Sequence, residues 1–195
     1  ADGPGAERAL RSIEACGMAP DAISFTSVMD AYARAKDVEK VEQWFAGMVA
    51  AGVRPILESH SILIKALSND GRFDDAEAAL DRMRQGSLAP NLVVYSSLVS
   101  GMARHGLLAR AERHVSEMRR ASTAPNVVVY TSLLRASDRE GAARLLREMA
   151  STRVALDDRA VAAVASSLKS SAEEARGVAE ELGVPLADGA RGARP

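Results

Sequence analysis

Hydrophobic residues in the middle of the chain recur with the spacing of an amphipathic helix. Phe25, Val28, Met29 and Tyr32 follow the i, i+3, i+4, i+7 pattern, which places all four on one helical face. The same pattern returns as His60, Leu63, Ile64 and Leu67, and again as Tyr95, Leu98, Val99 and Met102. It predicts one helix in each of three successive segments.

A second apolar stripe follows each of these helices. Its members are Val41, Phe45, Met48, then Ala76, Leu80, Met83, then Ala111, Val115, Met118. The breaks between the two stripes contain Lys36-Asp37, Asn69-Asp70-Gly71 and His105-Gly106. Because glycine can adopt the left-handed conformation that ends a helix, each segment is predicted to be a helix–turn–helix hairpin.

Proline punctuates the chain at a constant interval. Pro20, Pro55, Pro90 and Pro125 are each 35 residues apart, and proline ends a helix because it lacks the amide donor and disfavours a helical residue before it. A fixed period of this length predicts an internal repeat. The predicted hairpins, repeats 1 to 4, span residues 20–54, 55–89, 90–124 and, in shortened form, 125–155.

The fourth repeat is shorter than the others. Its break is expected at Glu140-Gly141, and Gly141 to Met149 is four residues shorter than Gly106 to Met118. Four residues make about one helical turn, so the apolar stripe of the second helix is expected to remain on the same side of the helix as in the other repeats.

Incomplete units are expected at both ends of the repeats. Residues 1–19 are predicted to be the second helix of an earlier repeat, because Ala6, Leu10 and Ile13 lie one period before the stripe of repeat 1. The absence of an initial methionine indicates a processed product or a piece of a longer protein. Residues 156–184 are predicted to form a degenerate helical capping unit, and residues 185–195 a disordered tail.

Composition narrows the classes of function. Hydrophobic residues make up 47% of the chain and aromatics 4%, which favours helices, while a formal net charge of -1 is a weak basis for binding a polyanion. The lone Cys16 excludes an intramolecular disulfide and a cysteine-rich zinc site. The sequence lacks the His-x-Glu with Cys-x-x-Cys of a zinc deaminase and the metal-binding aspartate cluster of a nuclease. It also lacks a phosphate-binding glycine loop, and it has no apolar run of about 18 residues that could span a membrane. We therefore expect no catalysis, metal, cofactor, small-molecule substrate or membrane-spanning segment.

The 35-residue hairpin resembles the pentatricopeptide repeat. An aromatic residue lies near the start of its first helix, a methionine lies near the end of its second helix, and Gly-x-x-Pro-Asp/Asn ends the repeat. The resemblance is strongest in two segments, Asn91-Leu-Val-Val-Tyr95-Ser and Asn126-Val-Val-Val-Tyr130-Thr. The resemblance covers roughly residues 6–155. It implies an all-α fold, a right-handed α-α superhelix built as a solenoid of hairpins. It also implies a soluble RNA-binding protein of a mitochondrion or plastid (chloroplast) that acts in RNA processing, stability or translation, with its targeting peptide outside this chain.

In that family each repeat holds one base of single-stranded RNA. The base is read by the residue after the opening aromatic together with the residue after the closing proline. The implied pairs are Thr26 with Ile56, Ser61 with Asn91, Ser96 with Asn126, and Thr131 with Asp157. The Ser/Asn pairs resemble adenine readers and the Thr/Asp pair a guanine reader, which gives A-A-G from the 5′ side.

Two further sets of contacts follow from the resemblance. Ile23, Val93 and Val128 would pack against the flat faces of the bases. Arg34, Arg104 and Arg139, which recur at one position of the 35-residue period, would contact the RNA backbone.

Other readings of these residues remain open. Asp21, Asn91, Asn126 and Asp157 are also suited to cap the helices that follow them. Ile56 has no polar group to read a base edge, and Glu58 places an anion where the other repeats have an aliphatic residue. These departures and the neutral charge favour a second hypothesis, a non-catalytic protein-binding scaffold subunit of an organellar ribosome or of a photosynthetic or respiratory complex.

Overall fold

A computed structural model of the protein describes residues 2–187, and these form eleven α-helices. The prediction of an all-α fold is confirmed. The helices are α1 Gly3–Ala15, α2 Ala22–Arg34, α3 Val38–Ala50, α4 Leu57–Asp70, α5 Phe73–Gln85, α6 Leu92–Arg104, α7 Leu108–Arg120, α8 Val127–Ala136, α9 Arg139–Thr152, α10 Asp158–Leu168 and α11 Ala172–Glu181.

Packing divides the chain into two compact units. Unit 1 comprises residues 1–98 and unit 2 residues 99–195, so that the division falls within α6. In unit 1, α2 packs on α3 and α4 on α5, while the first helices α2 and α4 also pack on each other. In unit 2, α8 and α10 pack on each other in the same way, and α10 also packs on α11. Successive first helices are therefore neighbours within each unit.

The helices repeat in strict register. The first helices α2, α4, α6 and α8 begin at Ala22, Leu57, Leu92 and Val127, each 35 residues after the last. Each second helix from α3 to α9 carries a methionine as its eleventh residue, and all four methionines are fully buried. These residues are Met48, Met83, Met118 and Met149.

This register shows where the fourth repeat is shortened. Helix α9 has 14 residues, whereas α8 has 10 against the 13 of α6. The loss therefore falls at the end of the first helix and in the turn, and the prediction that it falls after Gly141 is wrong. Gly141 lies inside α9 because Asp138 caps that helix, its Oδ1 accepting a hydrogen bond of 2.8 Å from the Gly141 amide.

In each of the first three repeats, one left-handed residue lies between the two helices and another follows the second helix. Lys36, Gly71 and Gly106 separate the first helix from the second, with φ of 60°, 84° and 73°. A second set follows the second helices at Gly17, Gly52, Ser87 and Ser122, again 35 residues apart. The two serines adopt φ of 60° and 56°, a conformation that costs a residue with a Cβ atom more than it costs glycine.

Polar side chains join neighbouring helices within each unit. The Tyr32 hydroxyl of α2 donates to Glu7 of α1 at 2.8 Å, and the Tyr130 hydroxyl of α8 donates to Glu148 of α9 at 2.6 Å. At the start of α5, the Arg72 guanidinium bonds to Glu42 of α3 at 2.5 Å. These contacts add to the packing of the buried stripes.

Both incomplete ends are helical. Helix α1 begins at Gly3 and places Ala6, Leu10 and Ile13 as its fourth, eighth and eleventh residues, the places that Val41, Phe45 and Met48 occupy in α3. Helices α10 and α11 fill the segment expected to cap the repeats. Ala1 lies outside the described residues.

The expected disordered tail is wrong for its first three residues. The amide of Leu156 donates to the Pro185 carbonyl at 2.8 Å, and the amide of Ala187 donates to the Leu156 carbonyl at 2.9 Å. We call residues 185–187 the C-terminal clip. Leu156 stands where each earlier repeat junction has proline, which has no amide hydrogen to donate. The remaining predicted tail, residues 188–195, lies outside the described residues.

Candidate nucleic-acid interface

The predicted base-reading hydroxyls occupy one position, the fifth residue of each first helix. Three of them donate to the carbonyl four residues earlier, at 2.6 to 2.7 Å. These are Thr26, Ser61 and Thr131. The hydroxyl oxygen of Ser96 is instead buried, without a hydrogen-bond partner in the described part of the chain. Bonding to the preceding turn fixes the first three hydroxyl hydrogens and leaves oxygen lone pairs as acceptors.

The second member of each predicted pair is a helix N-cap. The Asn91 Oδ1 accepts from the Val94 amide at 3.1 Å, and the Asn126 Oδ1 accepts from the Val129 amide at 3.2 Å. Asp157 caps α10 in the same way, at 2.8 Å from the Ala160 amide. The capping interpretation is therefore confirmed for these three residues. A cap occupies one oxygen, so each asparagine still has an NH₂ group and Asp157 still has a carboxylate oxygen.

The capping interpretation is confirmed for Asp21 as well, which makes one additional hydrogen bond, whereas Ile56 departs from the pattern. Asp21 accepts from both the amide and the hydroxyl of Ser24, at 2.8 and 2.7 Å, and these hydrogen bonds lower the pKa of its carboxyl group. Ile56 has no side-chain cap, and the Ser59 hydroxyl bonds to both the Ile56 amide and carbonyl, at 2.9 and 2.8 Å. Repeat 2 therefore keeps its helix start while presenting an apolar side chain at the predicted reading position.

Exposed aliphatic side chains stand beside these polar groups. Ile23, Val93 and Val128 are each the second residue of a first helix and are 68%, 52% and 52% exposed. An exposed aliphatic at one repeated position is a surface suited to pack on a flat ring. The same position is occupied by exposed Glu58 in α4 and by exposed Arg159 in α10.

Unit 1 brings two of the predicted residues into one depression. Ser61 of α4 and Val93 of α6 both line a space of about 230 Å³, together with Asp30, Arg34 and Lys65. The fifth residue of one first helix thus opens onto the same space as the second residue of the next. The depression mixes an apolar wall with hydrogen-bonding and charged groups.

The three arginines predicted to contact an RNA backbone do not occupy equivalent places. Arg34 ends α2 and is paired with Asp30 at 2.6 Å, and Arg104 ends α6. Arg139 is the first residue of the second helix α9, because the four missing residues precede it. The predicted equivalence of Arg139 with the other two is therefore wrong.

Other chemical groups lie apart from this surface. Cys16 is an exposed free thiol, and His114 is buried with its Nδ1 at 3.3 Å from Glu117. Burial, with a smaller effect of Arg82, lowers the pKa of His60, which packs edge-on to Phe45. No group of three or more metal-binding side chains occurs among residues 2–187. None of the helices described there is long and apolar enough to cross a membrane.

Sequence reasoning did not select Arg159. The capping unit has neither the proline nor the opening aromatic that mark the other repeats. Counting from the Asp157 cap would have placed Arg159 at the second helical position, as Val93 follows Asn91 and Val128 follows Asn126.

Comparison with known proteins identifies the repeat. Two family models match, "Pentatricopeptide repeat domain" at residues 8–70 and 48–104 and "PPR repeat family" at residues 90–139. No match is found among curated protein sequences. The hairpins, their register and the polar helix starts define an α-helical repeat protein, and the matches extend over residues 8–139. The chain belongs to the pentatricopeptide repeat (PPR) family.

Solved structures share its helical-repeat fold. A complex of PPR10 with an 18-nt psaJ RNA element has a TM-score of 0.74 and 23% identity, covering 93% of this chain and 27% of that one. PPR10 from maize gives a TM-score of 0.71 and 23% identity, covering 96% and 28%. The PPR domain of Arabidopsis thaliana PRORP1 in complex with tRNA gives 0.62 and 13%, covering 93% and 90%. The chain spans about a quarter of the PPR10 chains that it matches.

Proposed function

We propose that this protein is a non-catalytic PPR module that binds single-stranded RNA, one base per repeat, in RNA processing, stability or translation in a mitochondrion or plastid. The observation that carries the proposal is the repeated placement of an exposed aliphatic residue two positions after a polar helix cap. Family membership and the RNA and tRNA complexes of the similar structures support it.

The caps leave different chemistry free in repeats 2 to 4. The NH₂ groups of Asn91 and Asn126 are donors, which suit an acceptor such as N1 of adenine. The free carboxylate oxygen of Asp157 is an acceptor, which suits the N1–H and N2–H₂ donors of guanine. Capping and base reading thus use different atoms of one side chain, which supports A-A-G as the sequence bound by repeats 2 to 4.

A direct test is titration of a labelled RNA that carries A-A-G between uridines, against an all-uridine RNA of equal length. At roughly 1–3 kcal/mol per stacked base, a short tract gives measurable but modest affinity. We expect saturable, A-A-G-selective binding that weakens between about 50 and 200 mM salt. Failure to bind either RNA at both salt concentrations would contradict the proposal.

A variant pair separates base reading from helix stability. Asn126→Ser keeps a good N-cap and removes the NH₂ group, so it should retain stability and lose selectivity for the second adenine. Asp37→Ala removes the cap of the second helix α3, whose Oδ1 accepts from the Lys40 amide at 3.0 Å, and should lower stability without changing selectivity. Equal loss of RNA binding in both variants would indicate a folding effect.

A second candidate function is a scaffold that binds protein subunits of an organellar complex. The charge of unit 1 favours it, since residues 1–98 contain ten Lys/Arg against fourteen Asp/Glu, and Glu58 adds an anion to the first-helix surface. Isolation of the protein in a large assembly, together with absence of RNA binding, would favour this function over the first.

A further inference from the structure

The junction between α9 and α10 keeps the backbone course of the earlier repeat junctions, although it lacks their proline. Arg153 is left-handed, with φ of 55°, and stands three residues before Leu156, the interval that separates the left-handed residues from proline in the first three repeats. Asn126, which follows Pro125, has φ of -106° and ψ of 177°. Asp157, which follows Leu156, has φ of -91° and ψ of 175°. The predicted base-reading residue therefore has nearly the same backbone conformation with and without the proline.

Proline restrains the chain before the predicted reading residue in the earlier repeats. Its ring fixes its own φ whatever the rest of the fold does. Leucine has no such ring, and its φ and ψ range over the helical and extended regions in a free chain. Leu156 therefore needs a restraint from elsewhere in the fold if Asp157 is to keep the conformation of its counterparts.

The C-terminal clip supplies that restraint. The amide of Leu156 donates to the Pro185 carbonyl at 2.8 Å, and the carbonyl of Leu156 accepts from the Ala187 amide at 2.9 Å. Both polar backbone groups of one residue are thus bonded to the same short segment, which runs parallel to it. Because φ and ψ are the soft rotations between these two groups, a change in either angle breaks at least one of the bonds.

Apolar side chains anchor the clip beside this junction. Val184 and Leu186 are 3% and 8% exposed, and Leu156 is fully buried. The amide of Val184 also donates to the Ala179 carbonyl of α11 at 2.9 Å. Burial of Leu186 therefore favours the arrangement in which the clip is bonded to Leu156.

Resting on the proposed RNA-binding function, we infer that the clip positions Asp157 for the base held by repeat 4, as proline positions the residue after it in the earlier repeats. Asp157 caps α10 through Oδ1, at 2.8 Å from the Ala160 amide. That cap ties one oxygen to the helix that follows, and the clip ties the backbone immediately before it. The free carboxylate oxygen keeps one direction when both restraints are present. Leu186 is then a positioning residue that acts through Leu156.

The test measures preference for guanine over adenine at the base held by repeat 4. Labelled RNAs with A-A-G or A-A-A between uridines are titrated with wild type, Leu186→Asn, Leu156→Pro and the double variant. Leu186→Asn puts a neutral amide where leucine is buried, so it favours the open clip. Leu156→Pro removes the amide donor and supplies the ring in its place. Leu186→Ala, which stays apolar, replaces Leu186→Asn if that variant does not fold.

We expect Leu186→Asn to weaken binding of the A-A-G RNA about fivefold, the size of one lost hydrogen bond to a charged group. Its affinity for the A-A-A RNA should stay within about twofold of wild type, since adenine offers no such donor pair to the carboxylate. Leu156→Pro should retain the wild-type preference, and the double variant should regain it, because the ring restrains the junction without the clip.

The control is Val49→Ala, an exposed apolar truncation on α3 in unit 1. It should match wild type on both RNAs. Rescue by Leu156→Pro separates positioning from stability, because the double variant lacks the clip's contacts as fully as Leu186→Asn does.

Two results would overturn the inference while leaving RNA binding in place. One is wild-type guanine preference in Leu186→Asn, which would mean that Leu186 has no part in positioning. The other is a double variant as weak as Leu186→Asn, which would indicate lost stability. A wild-type protein that binds both RNAs equally would remove the guanine assignment and this inference with it. Absence of wild-type binding to either RNA would overturn the proposed function as well.

Discussion

The C-terminal clip allows a test of whether burial of Leu186 holds residues 185–187 against Leu156. Leu186 is only 8% exposed, and its neighbours Pro185 and Ala187 bond to Leu156 on both sides. Changing a buried leucine to alanine costs about 2–5 kcal/mol. We expect Leu186→Ala to cost about 2 kcal/mol, the lower end of that range, because Leu186 is not completely buried.

Amide hydrogen exchange measures this cost at one site. The Leu156 amide is protected by its bond to Pro185, and opening of the clip exposes it. A loss of about 2 kcal/mol in the opening free energy accelerates its exchange about 30-fold. The Val53 amide, bonded to the Met48 carbonyl at 3.0 Å in unit 1, should exchange at its original rate.

The control variant is Val49→Ala, since Val49 is 53% exposed and its truncation should leave both amides unchanged. If the Leu156 amide exchanges equally fast in wild type and in Leu186→Ala, then burial of Leu186 does not hold the clip in place. The account of Leu156 as the residue that replaces proline to accept the clip would then be wrong.

Four further substitutions test the turns, an ion pair and a buried histidine. Ser87→Gly and Ser122→Gly should each stabilise the protein by about 0.5–1 kcal/mol in urea unfolding, because glycine adopts positive φ without the Cβ cost. Glu42→Gln, which breaks the partly exposed ion pair with Arg72, should lower the free energy of unfolding by less than about 1 kcal/mol, and by less still in high salt. His60 has a lowered folded pKa, so the unfolded chain binds its proton more readily. Its contribution to stability is present above about pH 6.5 and is lost as pH falls through the folded pKa, and His60→Phe should remove this dependence.

Each of these has an outcome that contradicts it. Destabilisation by both glycine variants would mean that the serine side chains stabilise the turns by more than their backbone strain costs. A salt-independent loss in Glu42→Gln would point to packing in place of charge. An unchanged stability profile between neutral and acidic pH in wild type would mean that His60 is accessible to protons without a cost in folding.

Much of the fold follows from local sequence. Helix periodicity, the 35-residue spacing of proline and the buried methionine of each second helix depend on contacts within one or two hairpins, and their positions in the structure agree with the pattern. The asparagine caps were also predictable, because a side chain that caps a helix acts on an amide three residues away.

Other features required the packed structure. The position of the four-residue deletion in the fourth repeat was predicted wrongly, because a shorter first helix and a shorter second helix keep the apolar stripe facing the core equally well. Asp138 capping α9 decides between them, and the same shift removes Arg139 from the position of Arg34 and Arg104. A count along the sequence does not show which turn absorbs a deletion.

The hairpin, its period and the polar and aliphatic residues at each helix start were readable from the residue pattern, because all of these depend on interactions over a few residues. Tertiary structure alone decided the C-terminal clip, since Leu156 and Leu186 are far apart in sequence and meet only when α10 and α11 fold between them.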